Sequence, residues 1–328
     1  MLKLCPVYAP TPLRNLPGLA RDLNVGLLLA KDESQRMRLG SFKALGGVYA
    51  VAQIICDASG ARTPDAPDAQ RAAAGLTFVS ASAGNHGLAV AAGARIFGAR
   101  AVIVLDESVP EAFAARIRAS GAEVRRAPGV YEDAVELAGR LADEEDWLLL
   151  ADGSWPGYTT RPALVMEGYS VLAQECHDML CRTGDWPTHV FLQAGVGGMA
   201  AAVAAHVRTC WPHQPVIAVV EPEEAACLRD SVREDRVTRA SGAVSNMGRL
   251  DCKDASLIAF ESLRRDADMF LTVTDRKASE AVGLLDRHGI SSTPSGAASI
   301  AAVRQIAPSA DARCLVIVTE CGPHGEGS

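Results

Sequence analysis

The feature that most constrains this chain is a repeating strand-then-helix period whose helices are closed by glycine. Strand candidates at 76–80, 101–105 and 122–126 alternate with helical patterns at 85–97 and 110–119. Gly98-Ala99-Arg100 and Gly121-Ala122-Glu123 stand between each helix and the next strand, where glycine ends a helix in a left-handed turn. Units of roughly 20–25 residues of this kind build a doubly wound parallel sheet, not an all-β fold or a helical bundle. A second series follows, with a helix over 159–176, a strand over 189–193, a helix over 198–209 and a strand over 215–220. Helices over 276–287 and 295–306 and a strand over 313–318 complete it. Ahead of both series lie a strand at 26–30, a charged turn at 31–38 and a helix from about 42 to 56. Residues 57–74, with Pro64 and Pro67, read as a polar loop, and 225–255 as irregular structure facing a substrate or an interface.

Within this frame Lys43 stands out. The chain has five lysines, at 3, 31, 43, 253 and 277, and four of them sit beside charged or chain-terminal neighbours. Lys43 lies in Gly40-Ser41-Phe42-Lys43-Ala44-Leu45-Gly46-Gly47, with apolar sequence on both sides. Burying an unpaired ammonium is costly, so such a placement needs a reason. A partly desolvated lysine loses its proton more easily and becomes a usable nucleophile or base. A surface lysine snorkelling from an amphipathic helix is the other reading of the segment.

Two small-residue turns add to it. Thr77-Phe78-Val79 leads into Ser80-Ala81-Ser82-Ala83-Gly84-Asn85-His86-Gly87 and then a helix. Small residues there let backbone N–H groups approach a ligand, and Asn85 adds an amide that donates and accepts. Val190-Phe191-Leu192-Gln193 is followed by Ala194-Gly195-Val196-Gly197-Gly198-Met199 and an alanine-rich helix. Glycines opening onto a helix N-terminus make an anion cradle. Tight strand–helix packing explains the same glycines, and so does a dinucleotide site: Gly195, Gly197 and Ala200 fit G-x-G-x-x-A, with Glu221 ending a strand further on. Lys43 and the asparagine turn, which a dinucleotide site does not need, favour the anion cradle.

Composition narrows the class. With 328 residues, 48% of them hydrophobic, the chain can bury a large core in two lobes. A net charge of −7 without a basic cluster argues against a nucleic-acid partner. The nine cysteines are odd in number and contain no C-x-x-C pair, so neither a disulfide framework nor a zinc site is expected. His206 and Cys210, four apart on a helix, read as a packed helix pair before a metal site. Met1–Pro6 is too short in apolar length for a signal peptide, and no apolar run is long enough to span a bilayer. A cytoplasmic enzyme is expected, and an end at Ser328 leaves no space for a C-terminal regulatory domain.

Taken together, Ser41-Phe42-Lys43, Ser82-Ala83-Gly84-Asn85-His86-Gly87 and Gly195-Val196-Gly197-Gly198 resemble the fold-type II pyridoxal-phosphate enzymes, the tryptophan synthase β-like superfamily. That group includes threonine and serine dehydratases, cysteine synthases and diaminopropionate ammonia-lyases. The resemblance runs from about residue 10 to about 322. Lys31-Asp32-Glu33-Ser34, Trp155-Pro156-Gly157-Tyr158-Thr159 and Phe191-Leu192-Gln193-Ala194-Gly195 are most similar to diaminopropionate ammonia-lyase. The asparagine turn looks more like threonine dehydratase.

The resemblance implies an α/β fold of two lobes, each a mostly parallel doubly wound sheet flanked by helices, with the cofactor in the cleft between them. It puts 1–46 and 151–328 in a larger cofactor-binding lobe and 47–150 in a smaller substrate-side lobe. It implies pyridoxal 5'-phosphate as cofactor, carried on Lys43 as a Schiff base beside Phe42. Lys43, once released, would remove the α-proton of a small amino acid; a β-substituent then leaves, and hydrolysis gives a 2-oxo acid and ammonia. Asn85 would bond the phenolic oxygen, and Gly195, Val196, Gly197, Gly198 and Met199 would hold the phosphate. Ser82, Ala83, Gly84 and His86 would bracket the substrate carboxylate. Thr319 stands where the family pairs a hydroxyl or thiol with the pyridine nitrogen, Cys321 is the alternative, and an inward-pointing Glu320 would break that logic. No metal ligands are expected, and relatives imply a homodimer.

The sequence departs from these patterns at two places. Diaminopropionate ammonia-lyases carry an aspartate where Ala83 stands, which predicts a narrower choice of enantiomer. Their second acidic residue matches Asp152, either a proton donor in the cleft or a turn residue. Dehydratases usually place Glu before Pro-Ser-Gly, where Thr293 stands here. The leading expectation is therefore elimination of a β-amino or β-hydroxyl group. A β-replacement synthase, in which a second nucleophile adds to the aminoacrylate, and a non-catalytic relative are the alternatives.

Overall fold

The protein, seen as a computed structural model, is described over residues 5–322, so most of the N-terminal Met1–Pro6 segment lies outside it. Two sheets organise the chain. The larger has six strands in the order β1 (Leu13–Asn15), β2 (Leu27–Asp32), β10 (Arg313–Val318), β7 (His189–Gln193), β8 (Val216–Pro222) and β9 (Met269–Val273). The smaller has four, β5 (Glu123–Ala127), β4 (Arg100–Asp106), β3 (Thr77–Ala81) and β6 (Leu148–Leu149). Every pairing is parallel except the edge pair β1–β2. The α/β, doubly wound expectation holds, and the one antiparallel strand sits at an edge, as mixed sheets allow.

Helices cover both sheets. Those that shape the cleft are α2 (Lys43–Ser59), α4 (Asn85–Phe97), α7 (Thr160–Thr183), α8 (Gly198–Cys210), α9 (Cys227–Arg233) and α12 (Pro294–Ile306). α2 packs against α4 and α7, and it does so closely: a Cβ added at Gly47 would stand 2.7 Å from Ala89 Cβ. Gly60 and Gly98 close α2 and α4 with left-handed φ of 67° and 81°.

Several expectations need correction. The polar stretch 57–74 contains α3 (Pro67–Gly75), because Pro67 opens a helix as readily as it breaks one. α6 (Tyr131–Glu144) and α10 (Leu257–Asp266) stand where the sequence reading placed no helix, although α6 has a clear apolar face. The charged turn at 31–38 is not solvated: Lys31 and Asp32 end β2, and Lys31, Glu33 and Arg36 are all buried. Lys31 Nζ donates to Thr11 O at 2.7 Å and Glu175 Oε2 at 2.5 Å, and Arg36 forks onto Glu33 and Glu175. Two cations and two carboxylates thus neutralise one another and lock the N-terminal segment to α7. Lys43 is therefore not the one lysine for which burial needs a reason.

Glu221 settles the dinucleotide alternative. Its carboxylate is fully buried and accepts from the backbone N–H groups of Leu228 at 2.7 Å and Arg229 at 2.8 Å, capping α9. It does not face a ligand. Burial raises its pKa from 4.5 to about 7, against the pull of those two N–H groups. The native state therefore holds this proton more tightly than the unfolded chain. Its contribution to stability is lost as pH climbs through that window, and below it there is no penalty. Urea unfolding at pH 5 and pH 8 should show wild type losing on the order of 1–3 kcal/mol more over that interval than Glu221→Gln. Parallel pH profiles for the two proteins would refute this.

Candidate active site

The cleft is built from loops that leave the carboxyl ends of strands in both sheets. Lys43 opens α2, Ser82–His86 follow β3, Asp152 follows β6, Gly195–Met199 follow β7, and Thr319–Cys321 follow β10. Open parallel sheets gather ligands at this edge.

At the centre, Lys43 Nζ lies 2.5 Å from Asp152 Oδ2, with side chains 20% and 27% exposed. Asp152 therefore faces the cleft and is not merely a turn residue. The Phe42 ring is 5.3 Å from the ammonium and the Tyr169 ring 5.8 Å, and the two rings meet edge-on. Burial alone would lower the lysine's pKa, as the sequence suggested. The Asp152 carboxylate reverses that and holds the ammonium above the ordinary lysine range. Burial likewise works to raise Asp152, yet Lys43 keeps it well below the carboxylate range. Burial pushes the Tyr169 phenol up to about 12. In this state the pair is ammonium and carboxylate.

The asparagine turn closes one wall. Gly84 N donates to Ser82 Oγ at 3.3 Å. The buried His86 places Nε2 2.9 Å from Leu150 O, while its Nδ1 has no hydrogen-bond partner among the described residues. Burial lowers its pKa, so the ring is neutral at pH 7 and donates from Nε2. Asn85 Nδ2 donates to Glu320 Oε2 at 2.5 Å.

The glycine loop forms the opposite wall. A Cβ at Gly195 would stand 2.9 Å from Cys252 Sγ, and Gly197 has φ +101° with Leu228 Cδ1 3.0 Å from the same imagined carbon. Gly195 and Gly197 thus have no space for a side chain, which leaves backbone facing outward there. Gly198 and Met199 begin α8, whose first N–H groups have no intrahelical acceptor.

Beyond β10 the expectation is only half met. Thr319 is buried and its Oγ1 accepts from Gln193 Nε2 at 3.4 Å, while Phe42 N donates to Thr319 O at 3.1 Å. Cys321 lies against Gly40, its N donating to Gly40 O at 2.9 Å. Glu320 does point inward: Oε1 accepts from Thr293 Oγ1 at 2.5 Å, and Arg249 Nε lies 3.6 Å from Oε2. The carboxylate missing at position 293 is thus supplied from position 320. Arg249 and Tyr169 are the site residues sequence reasoning missed. Arg249 lies in a stretch without a period, and Tyr169 reads as an ordinary core residue of a long helix. No group of three potential metal ligands occurs among the described residues, and no described helix is long and apolar enough to cross a membrane.

Comparison with known proteins agrees with this geometry. A family model described as pyridoxal-phosphate dependent enzyme matches residues 4–320. The chain is 36% identical over 294 residues to diaminopropionate ammonia-lyase of Salmonella typhimurium, covering 85% of this chain and 72% of that protein. Its structure is similar to holo diaminopropionate ammonia lyase from Escherichia coli, with a TM-score of 0.87, 31% identity, and 97% and 86% of the two chains covered. The same Escherichia coli enzyme in complex with an aminoacrylate-PLP azomethine reaction intermediate gives a TM-score of 0.86 and 32% identity, covering 96% and 85%.

Removing the Asp152 charge leaves burial as the dominant influence on Lys43. In cofactor-free protein, Asp152→Asn should move the pH midpoint for Lys43 modification by an amine-selective reagent to lower pH. Peptide mass spectrometry reads this directly. An unchanged midpoint would show that the carboxylate does not set the lysine's charge.

Proposed function

The chain belongs to the pyridoxal-phosphate-dependent enzymes and is a lyase that works by elimination; from that premise we propose that it removes the β-amino group of 2,3-diaminopropionate and, after hydrolysis by water, releases a 2-oxo acid and both nitrogens as ammonia. The observation that carries this reading is the Lys43–Asp152 pair at 2.5 Å. It puts an amine able to take a proton beside a group able to receive and return it, and an amine leaves only when protonated.

The cleft fits the cofactor. The glycine cradle at Gly195 and Gly197 suits a phosphate, and Lys43 supplies the amine. When bound, pyridoxal phosphate supplies an aldehyde that takes up amines and a ring that accepts the electrons released at the α-carbon. The residues do the rest. Lys43 would anchor the cofactor beside Phe42, with Val196, Gly197 and Gly198 at the phosphate. Asn85, one amide hydrogen held by Glu320, would offer the second to the phenolic oxygen. Thr319, or Cys321 in its place, would pair with the pyridine nitrogen. Ser82, Ala83, Gly84 and His86 take the substrate carboxylate. Lys43, once freed, removes the α-proton, and Asp152 accepts a proton from Nζ and passes one to the departing amine. In this reading residues 1–46 and 151–328 form the cofactor lobe and 47–150 the substrate-side lobe. That no cysteine forms a disulfide agrees with a reducing, cytoplasmic setting; the homodimer rests on resemblance alone.

Holoenzyme given L- and D-diaminopropionate, serine, threonine and O-acetylserine in turn should release 2-oxo acid fastest from one enantiomer of diaminopropionate. Faster release from serine or threonine would make it a dehydratase. Consumption of O-acetylserine only when a thiol is added would make it a synthase. Borohydride reduction should fix the cofactor to Lys43 by mass, and Lys43→Ala should lose both that adduct and turnover. Ala83→Asp should raise turnover of the disfavoured enantiomer, and an unchanged ratio would mean the turn lies elsewhere relative to the substrate.

A further inference from the structure

We propose that Arg249 binds the α-carboxylate of the amino-acid substrate, reaching across the cleft to the Ser82–His86 turn; this rests on the amino-acid reading above. Residue 249 is anchored on the far wall. Its N donates to Ser295 Oγ at 3.0 Å, and its O would lie 3.2 Å from a Cβ at Gly195. The side chain crosses from there. A Cβ at Gly84 would stand 3.0 Å from Arg249 Nη1, so glycine at 84 is what lets the guanidinium reach the turn.

The guanidinium is held without being used up. Its Cζ stands 5.9 Å from the Phe113 ring centroid, which orients the plane. Among the described residues its charged partner is Glu320, 3.6 Å from Nε and beyond hydrogen-bond distance. Both Glu320 oxygens are already engaged, by Asn85 and Thr293. The edge bearing Nη1 faces a small cavity lined by Ala83, Gly84, Asn85, Phe113 and Arg116, with no carboxylate in the lining. A planar fork with free donors beside backbone N–H groups is the geometry that takes a carboxylate. Glu320 keeps the unloaded site from carrying an uncompensated charge.

A backbone N–H bonds a carboxylate oxygen more strongly than a neutral amide oxygen, and a guanidinium adds a full positive charge to that preference. The test is titration of holoenzyme with glycine and with glycinamide, read by the change in the bound cofactor's absorbance. Glycine has no β-substituent, so the readout does not depend on elimination. Wild type should bind glycine more tightly than glycinamide. Arg249→Gln should weaken glycine about 10- to 100-fold, as loss of charge-assisted hydrogen bonds implies, and leave glycinamide unchanged. Arg249→Lys should fall between the two. Equal weakening of both ligands would overturn the assignment, reducing Arg249 to a structural partner of Glu320. If Arg249→Gln fails to hold cofactor, the wild-type pair decides, because equal affinity for the two ligands also overturns it. Failure of the diaminopropionate reading would appear in the turnover assay alone and leave these titrations interpretable.

Discussion

Lys43 Nζ and Asp152 Oδ2 stand 2.5 Å apart, although 109 residues separate them in the chain. A second buried lysine shows what is unusual about the pair. Lys31 donates to a backbone carbonyl and to Glu175, with Glu33 3.8 Å away, and its side chain is 1% exposed. Its donors are spoken for, and its ammonium is structural. Lys43 has a single carboxylate partner, two aromatic rings and a cleft. Both satisfy the requirement that a buried cation be paired. Lys43 does so at the cleft, with its side chain 20% exposed against 1% for Lys31. The chemistry of the site follows from that single partner.

Glu320 plays a comparable part on the other side of the cleft. It joins Asn85, 235 residues away, to Thr293 and Arg249, so one carboxylate fixes the tip of the small sheet against the large one. The sequence pattern before Pro294-Ser295-Gly296 lacks the acid that dehydratases place there. The structure shows that a carboxylate reaches the hydroxyl of Thr293 from the adjoining strand end. A position lost in one motif is filled from another when the two elements lie side by side.

Much of this was legible in the sequence because it is local. Helix Asn85–Phe97 and strands His189–Gln193 and Arg313–Val318 have their observed ends, since a glycine, a small-residue turn or a run of branched side chains marks each boundary. Lys43, Asn85 and the glycine loop were found because their neighbours are small for a reason visible in one dimension. What was missed is long-range. The buried network of Lys31, Glu33, Arg36 and Glu175 reads as a charged turn, since the helix residue that completes it lies 144 positions from Lys31. Arg249 sits in an irregular segment, and only the fold brings it to Gly84. The direction of the Lys43 pKa was misjudged for the same reason: burial is local and predictable, but the carboxylate that reverses it comes from the other sheet.

The topology explains why such distant partners meet. In each sheet the parallel strands point their carboxyl ends the same way, so every loop leaving them emerges along one edge. Loops after β3 and β6 come from the small sheet, and loops after β7 and β10 from the large one. α2, which begins with Lys43, packs on α4 and α7 and so ties the two edges together. On the proposed reading, a ligand held between them would meet Lys43 from α2, Asp152 from the small sheet, the glycine loop from the large one and Arg249 from the irregular segment. None of these is a site alone. Turning one sheet relative to the other would separate Lys43 from Asp152 and Asn85 from Glu320 together, so the same contacts that close the cleft also assemble its chemistry.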